Sequence, residues 1–509
     1  MSLKNKKAAG ADNIPAKILK DTATVYLTQL FNCSINETHF PTKLKFANVI
    51  PLFKKNSNTE KSNYRPISIL PSISKVFERL MFHQITSYIN NIISPHLCGF
   101  RKGYSPRYAL LRLKDKLNKS LDKNEMVGLV MMDLSKAFDC IPHDLLIAKM
   151  HAYGFDQDSL KLIYSYLKER KQRVKINAEF SSWQNILSGV PQGSVLGPLL
   201  FNIFINDLFF SVHNSDLHNY ADDNTLSMAD TNIETITNIL NDDISNVYNW
   251  FENNHLSLNE DKCQFLVIER PGNLRNEIAE INIRNKTICE TNKGKLLGIT
   301  FDNNINMNDH IKSICKKASS KLYALARIST YLSEHKRKIL MKSFVISQFN
   351  YCPIIWMYCQ RKSNNLINRI HERALRIAYG DYISDFSSLL AKDKSVTIHE
   401  RNIQALSLEI YKTINGFNPT FMNNIFELKN PKYSLRRQIL AYPNPKTIAY
   451  GIDTFGYKSC NIWGSLPDTI RNAKDAKTFK RNIGNHCQNI CKCNLCKLYI
   501  PNLGYIVCN

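Results

Sequence analysis

The chain has 509 residues, of which 44% are hydrophobic and 22% charged. At ~150 residues per domain this is room for about three domains, and the balance excludes a wholly disordered or fibrous protein. Lysine and arginine number 67 against 43 aspartate and glutamate, a formal net charge of +24, so a polyanionic partner is expected, nucleic acid first and an anionic membrane second.

Met1 to Lys7 carries Lys4, Lys6 and Lys7 but runs into Ala-Ala-Gly-Ala-Asp rather than an apolar core, so secretion is not expected. Hydrophobic spacing predicts a helix near Ala16 to Phe31, and Val49-Ile-Pro-Leu-Phe53 reads as a strand that delivers Lys54 and Lys55. Val127 to Met132 is a continuous apolar run ending at Asp133, the pattern of a buried strand with an acid at its carboxyl end, either a cap or a ligand. Basic Lys168 to Lys175 enters a predicted hairpin through Val174 and Ile176, ahead of Gly189-Val-Pro-Gln-Gly193; a solvated charged turn fits that run equally well. Pro198 to Val212 is the most apolar stretch, yet Asn202, Asn206 and Asp207 break it, so no membrane span is expected.

Three helices follow. From Asp309 to Tyr331 the residues Ile311, Ile314, Cys315, Ala318, Leu322 and Leu325 keep helical spacing, with Lys312, Lys316, Lys317 and Lys321 on other faces. A second helix is predicted over Glu334 to Phe349, and a third over Ser363 to Tyr379, stopped by Gly380, with Arg369, Arg373 and Arg376 on one side. Beyond about 395 the prolines 431, 443, 445 and 467 interrupt the pattern, which predicts a less regular C-terminal region. The tail holds His486, Cys487, Cys491, Cys493, Cys496 and Cys508. Cys493-x-x-Cys496 has zinc-ligand spacing, but Cys487 and Cys491 lie too close for the usual two-knuckle arrangement, so unpaired thiols are preferred to bound Zn2+. The other nine of the 14 cysteines are scattered singly, which suits a reducing compartment, nucleus or cytoplasm.

The sharpest chemical signal is Tyr220-Ala-Asp-Asp223 within Leu217 to Leu226. Strand formers on both sides predict a hairpin whose turn brings two carboxylates together. Like charges so near repel and raise a pKa unless a cation neutralises them, and a hard divalent ion such as Mg2+ is the natural partner for oxygen ligands. A solvent-exposed Asp-Asp loop is the plainer reading of that pair alone. Asp133 supplies a third acid. Three such carboxylates suit a two-metal centre for phosphoryl transfer, with Lys54 and Arg65 as candidate triphosphate ligands, Arg65 through its bidentate fork.

Asn63-Tyr-Arg-Pro-Ile-Ser68, Gly99-Phe-Arg101, Asp133-Leu-Ser-Lys-Ala-Phe-Asp139, Gly189-Val-Pro-Gln-Gly-Ser194, Tyr220-Ala-Asp-Asp223 and Leu297-Gly298 occur in an order that resembles non-LTR retrotransposon reverse transcriptases, notably jockey-like elements. The resemblance covers about residues 8 to 300 motif by motif, and more loosely the helical bundle and Ile462-Trp-Gly-Ser-Leu-Pro467. It implies an α+β right-hand polymerase with fingers, palm and a helical thumb bundle, followed by an irregular C-terminal region. The corresponding boundaries are 1–125 for the N-terminal segment and fingers, 126–304 for the palm, 305–395 for the thumb and 396–509 for the C-terminal region.

The resemblance also implies the roles. Asp133, Asp222 and Asp223 would hold two Mg2+ ions, while Lys54 and Arg65 would meet the incoming deoxynucleoside triphosphate. Phe138, five residues after Asp133, looks like the steric gate that leaves no room for a 2′-hydroxyl, with a plain core phenylalanine as the alternative. Gln192 and Gly193 would line the template-base and nucleotide pocket, glycine allowing close backbone approach. Lys262 matches the position assigned to protonating the pyrophosphate leaving group, although a surface lysine is the commoner case. Leu297-Gly298 resembles the primer grip, or is simply a tight hairpin turn. The basic helices would follow a duplex backbone through phosphate contacts.

The partners so implied are an RNA template, a DNA primer and deoxynucleoside triphosphates, with no membrane and an oligomeric state the sequence leaves open. Two departures stand out: Leu97-Cys98 replaces the family's glutamine and aromatic residue, and Ser105-Pro106 replaces a Ser-Thr pair, which predicts a disturbed part of the fingers. The chain begins almost at the polymerase motifs and shows no RNase H pattern, so neither target nicking nor RNA cleavage is expected. The function that fits is RNA-directed DNA polymerase. Its rival is a catalytically inactive remnant that only binds RNA or RNA/DNA hybrid. A group II intron or telomerase type fits the acids but fits Gly189 to Ser194 and the basic helices less well.

Overall fold

The computed structural model describes residues 10–15, 17–19, 24–54, 57–272, 275, 277–428, 440–441, 443–486, 499–500 and 504–505. They form two compact units, each built from separate stretches of chain. The first takes the described residues up to Arg101 with Met132–Asn224 and Asp242–Cys263; the second takes Lys102–Met131, Thr225–Asn241 and the described residues from Gln264 onward. The strands that frame the chemistry are β1 (Phe46–Phe53), β2 (Tyr64–Ile69), β3 (Met126–Ser135), β4 (Arg170–Ile176), β5 (Glu179–Phe180), β6 (Gln184–Ile186), β7 (Asp216–Tyr220), β8 (Asp223–Asp230), β9 (Ser257–Leu258) and β10 (Gln264–Ile268).

The first unit is organised by the sheet β2-β1-β4-β5, with β6 on β4. β1 and β2 form an antiparallel ribbon in which Leu52 faces Arg65, and β4 joins β1 in parallel, Val49 opposite Val174. The basic run expected to enter a hairpin does so, because β4 turns back into β5 with Lys175 opposite Phe180. Helix Ser72–Ile89 buries Phe77, Met81, Ile85 and Ile89. Phe77 stacks on Phe31 and Phe40 at 4.6 and 5.2 Å. The apolar stretch after Pro198 forms helix Gly197–Ile205, buried on nearly every side, as a helix apolar all round must be. Within the span of the first expected helix, residues 17–19 are helical and helix Thr24–Asn36 continues past Phe31, burying Leu27, Phe31 and Ser34; residue 16 and 20–23 lie outside the described residues.

A second sheet has the order β10-β3-β8-β7, with β9 added to β3, and the division between the units falls inside β3 and β8. All of β3 from Met126 to Met132 is buried, and exposure begins only at Asp133. That is what a continuous apolar run flanked by other strands should give.

The second unit continues with hairpins β11 (Glu280–Ile283) to β12 (Lys286–Cys289) and β13 (Lys293–Leu296) to β14 (Ile299–Asp302). The helical bundle then opens with Asn308–Ile328, which buries Ile311, Cys315, Ala318, Leu322 and Leu325. The expected second helix starts as Glu334–Leu340 but widens to a π turn over Met341–Val345 and tightens to a 3-10 turn over Ile346–Phe349. Helix Arg361–Tyr379 ends where Gly380 adopts φ 67°, the left-handed C-cap its sequence predicts. Past residue 395, helix Ile398–Ile414 carries a Thr397–Glu400 capping box, and helices Phe455–Ser465 and Ala476–Asn485 are accompanied by the one-turn helices Met422–Ile425 and Asp468–Arg471. Tyr411 stacks on Phe479 at 4.4 Å. Among the described residues no helix is long and apolar enough to cross a membrane.

Candidate active site

Two adjacent strand ends of the first unit bring the acids together. Asp133 is the first residue of β3 to leave the core, and its carbonyl accepts the Asn259 N–H at 2.8 Å. β7 and β8 form the expected hairpin, with Ala221 and Asp222 between the strands. Ala221 is buried and adopts φ 59°, a conformation that needs support in a residue with a side chain. Two buried asparagines provide it. Asn219 donates through Nδ2 to the Ala221 carbonyl (2.9 Å) and to Asn224 Oδ1 (2.8 Å), while Asn224 donates to the Asp222 carbonyl at 3.2 Å. Gly99 lies directly against the turn: a Cβ there would come within 2.4 Å of the Ala221 nitrogen. Its carbonyl accepts from buried Asn202 at 2.7 Å.

Burial and mutual repulsion govern the electrostatics. The Asp222 carboxyl is pushed above its ordinary range by burial and by Asp133, against the pull of Arg65 and Lys54. Asp223 is raised to about 6 by burial, then by Asp222 and Asp133. Asp133 itself accepts from Lys262 Nζ at 2.7 Å. Among the described residues no three His, Cys, Asp or Glu side chains already close around a metal position. The donor set nevertheless fits one: hard carboxylate oxygens, partly desolvated and under-neutralised, are what a divalent cation of the magnesium class binds.

Lys54 and Arg65 sit at the end of the β1–β2 ribbon, where Lys54 N–H donates to the Asn63 carbonyl at 2.8 Å. Both lie close enough to bias the Asp222 carboxyl. Phe138 is half-buried, stacked on Phe201 at 4.6 Å and meeting the edge of Phe100 at 5.7 Å. The neighbouring Asp139 accepts from Gln192 Nε2 at 2.9 Å through Oδ1 and from Ser188 Oγ at 3.0 Å through its carbonyl. Gln192 returns a carbonyl to the Ser68 N–H at 2.8 Å, and a Cβ on Gly193 (φ 118°) would strike the Ser68 carbonyl at 2.7 Å. The loop is anchored further by His143 Nε2 on the Gly189 carbonyl at 2.8 Å, and by buried Glu78, which accepts from Val195 and Leu196 N–H at 2.6 and 3.3 Å.

The first unit thus collects Lys54, Arg65, Asp133, Phe138, Gln192, Gly193, Asp222, Asp223 and Lys262. Leu297 and Gly298 belong to the second unit, as the turn of the β13–β14 hairpin. Sequence reasoning missed Asp139, His143, Glu78, Asn219 and Asn224. Only Asp139 carried a signal, as the closing acid of the Asp133 to Asp139 motif. The departures predicted to disturb the fingers are absorbed: Leu97 and Cys98 are buried, Leu97 bridges to Asn219, and Pro106 takes the first turn of helix Pro106–Asp122, where its missing N–H costs nothing. Cys487, Cys491, Cys493, Cys496 and Cys508 lie outside the described residues.

The helical bundle carries a basic groove of about 600 Å³ lined by Lys312, Lys316, Ser319, Ser320, Tyr323 and Arg327. Arg373 of the facing helix lies over the Tyr323 ring at 4.9 Å.

Residues 53–301 match the family model described as reverse transcriptase (RNA-dependent DNA polymerase). The chain is 29% identical over 396 residues to the probable RNA-directed DNA polymerase from transposon BS of Drosophila melanogaster, covering 74% of this chain and 43% of that protein. It is 28% identical over 345 residues to the RNA-directed DNA polymerase from mobile element jockey of the same organism, covering 65% and 37%. The chain therefore spans less than half the length of these relatives. Among solved structures, apo telomerase from Candida Tropicalis superposes with a TM-score of 0.39 at 10% identity, covering 81% of this chain and 70% of that one.

Proposed function

Since the chain belongs to the reverse transcriptase family, carried by residues 53–301, we propose that it acts as an RNA-directed DNA polymerase of the non-LTR retrotransposon kind, extending the 3′-hydroxyl of a DNA primer on an RNA template. The observation that carries this reading is the Asp222–Asp223 turn, whose raised carboxyls share one unit with Asp133, with Lys54 and Arg65 near enough to act on Asp222. Asp133, Asp222 and Asp223 would hold two Mg2+ ions, which when bound supply activation of the attacking oxygen and charge neutralisation at the phosphates.

The remaining work falls to the chain. Lys54 and Arg65 neutralise and orient the triphosphate, Arg65 by its planar fork. Phe138, wedged between Phe201 and Phe100, presents a fixed ring edge that excludes a 2′-hydroxyl. Gln192, oriented by Asp139, and Gly193 form the wall of the nucleotide pocket. Lys262, whose Nζ lies 2.7 Å from Asp133 Oδ2, would deliver a proton to the departing pyrophosphate. Leu297 and Gly298 meet the primer end, and the basic groove of the bundle takes duplex phosphates. On this reading residues 1–125 serve as N-terminal segment and fingers, 126–304 as palm, 305–395 as thumb and 396–509 as C-terminal region.

The test is incorporation of labelled dTTP on poly(rA) primed with oligo(dT) in Mg2+, comparing the unaltered chain with Asp222→Ala while hybrid binding is followed in parallel. Losing a residue that supports a metal ligand costs about 10- to 100-fold, so losing a ligand is expected to cost more than that with binding retained. A folded chain that binds the hybrid but adds nothing in Mg2+ or Mn2+ would leave only the inactive RNA- or hybrid-binding remnant.

A further inference from the structure

A two-residue turn between antiparallel strands is easiest to close when both residues have left-handed φ, which is why Asn-Gly and Gly-Gly dominate it. The β13–β14 turn has that geometry, with φ 45° at Leu297 and 82° at Gly298. Glycine adopts it freely, whereas leucine does so against the contact of its Cβ with the backbone. A non-glycine residue in such a region persists only where its surroundings impose it, and such sites are functional more often than chance.

Here the imposing group is Tyr351. Its hydroxyl donates to the Leu297 carbonyl at 2.6 Å, and its ring lies under the glycine, where a Cβ on Gly298 would come 3.3 Å from Cε1. The side chain is not there as core packing, since Tyr351 is 47% exposed. Its backbone, in contrast, is fixed. Buried Trp356 donates through Nε1 to the Tyr351 carbonyl at 3.2 Å, and Arg401 holds the carbonyl of buried Phe349 at 3.1 Å. A rigid segment thus extends one hydroxyl to the tip of a hairpin whose next-best turn residue, asparagine, would need no such help.

We infer that Tyr351 is a positioning residue for the primer: it locks Leu297 in its strained conformation so that the apolar side chain and the exposed backbone of the turn are presented to the 3′-terminal sugar and phosphate of the DNA primer strand. The inference rests on the reading of Leu297 and Gly298 as the turn that meets the primer end.

Two variants of the full chain, Tyr351→Phe and Leu297→Asn, separate the two ideas on poly(rA)/oligo(dT). Tyr351→Phe deletes one hydroxyl, and the loss of one neutral hydrogen bond predicts a rise of about threefold to tenfold in KM for primer-template, with KM for dTTP and the melting temperature unchanged. Leu297→Asn keeps and relaxes the turn but removes the apolar side chain, and should raise the same KM. If Leu297→Asn raises it and Tyr351→Phe does not, the positioning role of Tyr351 is refuted while the turn keeps its place at the primer. If neither does, the primer does not meet this turn and the inference falls with that reading. A Tyr351→Phe chain that melts several degrees lower and changes kcat and both KM values together marks the tyrosine as merely structural, which also overturns it.

Discussion

Phe138 has little freedom to move aside. Its ring is stacked within 22° of parallel on Phe201 and meets Phe100 edge-on, and the next residue is tied through its carboxylate to Gln192. A gate works only if it cannot yield, because discrimination by a pocket wall is lost as soon as the wall can repack. Phe138→Val shortens the ring to a stub without touching any acid. It should therefore keep dTTP addition on poly(rA) while raising rUTP addition by about tenfold or more, the usual worth of a filled steric position. Parallel single-nucleotide extensions with dTTP and rUTP measure the ratio. An unchanged ratio would make Phe138 the plain core residue that its stacking on Phe201 also permits.

The loop from Gly189 to Leu196 is held as an element, and most of its anchors are backbone groups. Glu78 of helix Ser72–Ile89 is fully buried and accepts the Val195 and Leu196 N–H groups and the Ser74 hydroxyl, satisfying donors that the start of helix Gly197–Ile205 leaves open. Burial pushes its carboxyl up, while Arg170 and these bonds hold it down. Glu78→Leu leaves the Val195 and Leu196 N–H groups without their acceptor, so stability should fall by about 1–3 kcal/mol and KM for dTTP should rise as the loop loosens. Urea unfolding paired with dTTP titration checks both, and a destabilised chain with an unaltered KM would show that Glu78 supports the fold without setting the pocket. This device also marks where sequence reading stops. The buried β3 run, the Asp222–Asp223 hairpin and the basic-backed helix Asn308–Ile328 were legible because each is written in local periodicity or in a turn flanked by strand formers. Glu78, Asn219 and Asn224 were not, because each acts by reaching a backbone atom whose position the tertiary fold decides. Asn219 and Asn224 lie inside the very segment that names the site, yet nothing in their spacing says that Ala221 between them turns left-handed. The far end of the first helix was missed for a related reason: helix Thr24–Asn36 continues past Phe31, which packs on Phe77, some fifty positions later.

At the scale of the molecule the net charge of +24 predicts how binding should behave before it says what is bound. A protein that neutralises several phosphates releases as many counterions, so its affinity falls steeply with salt whatever the base sequence. The exposed Lys316 and Lys321 project from helix Asn308–Ile328, and Lys316 lines the groove beside Tyr323 and Arg327. If this face meets duplex phosphates, the double change Lys316→Glu with Lys321→Glu should weaken binding to poly(rA)/oligo(dT) and to a mixed-sequence hybrid equally, since phosphate contacts carry no sequence information. It should also flatten the slope of log affinity against log salt by about 2, at ~0.9 for each phosphate that is no longer neutralised. Fluorescence anisotropy between about 50 and 200 mM salt reads the slope, and circular dichroism confirms that the variant is folded. A lower affinity with an unchanged slope would mean that the two lysines are not on phosphates and that the charge excess acts only through long-range attraction, which would move the duplex-bearing surface off this helix.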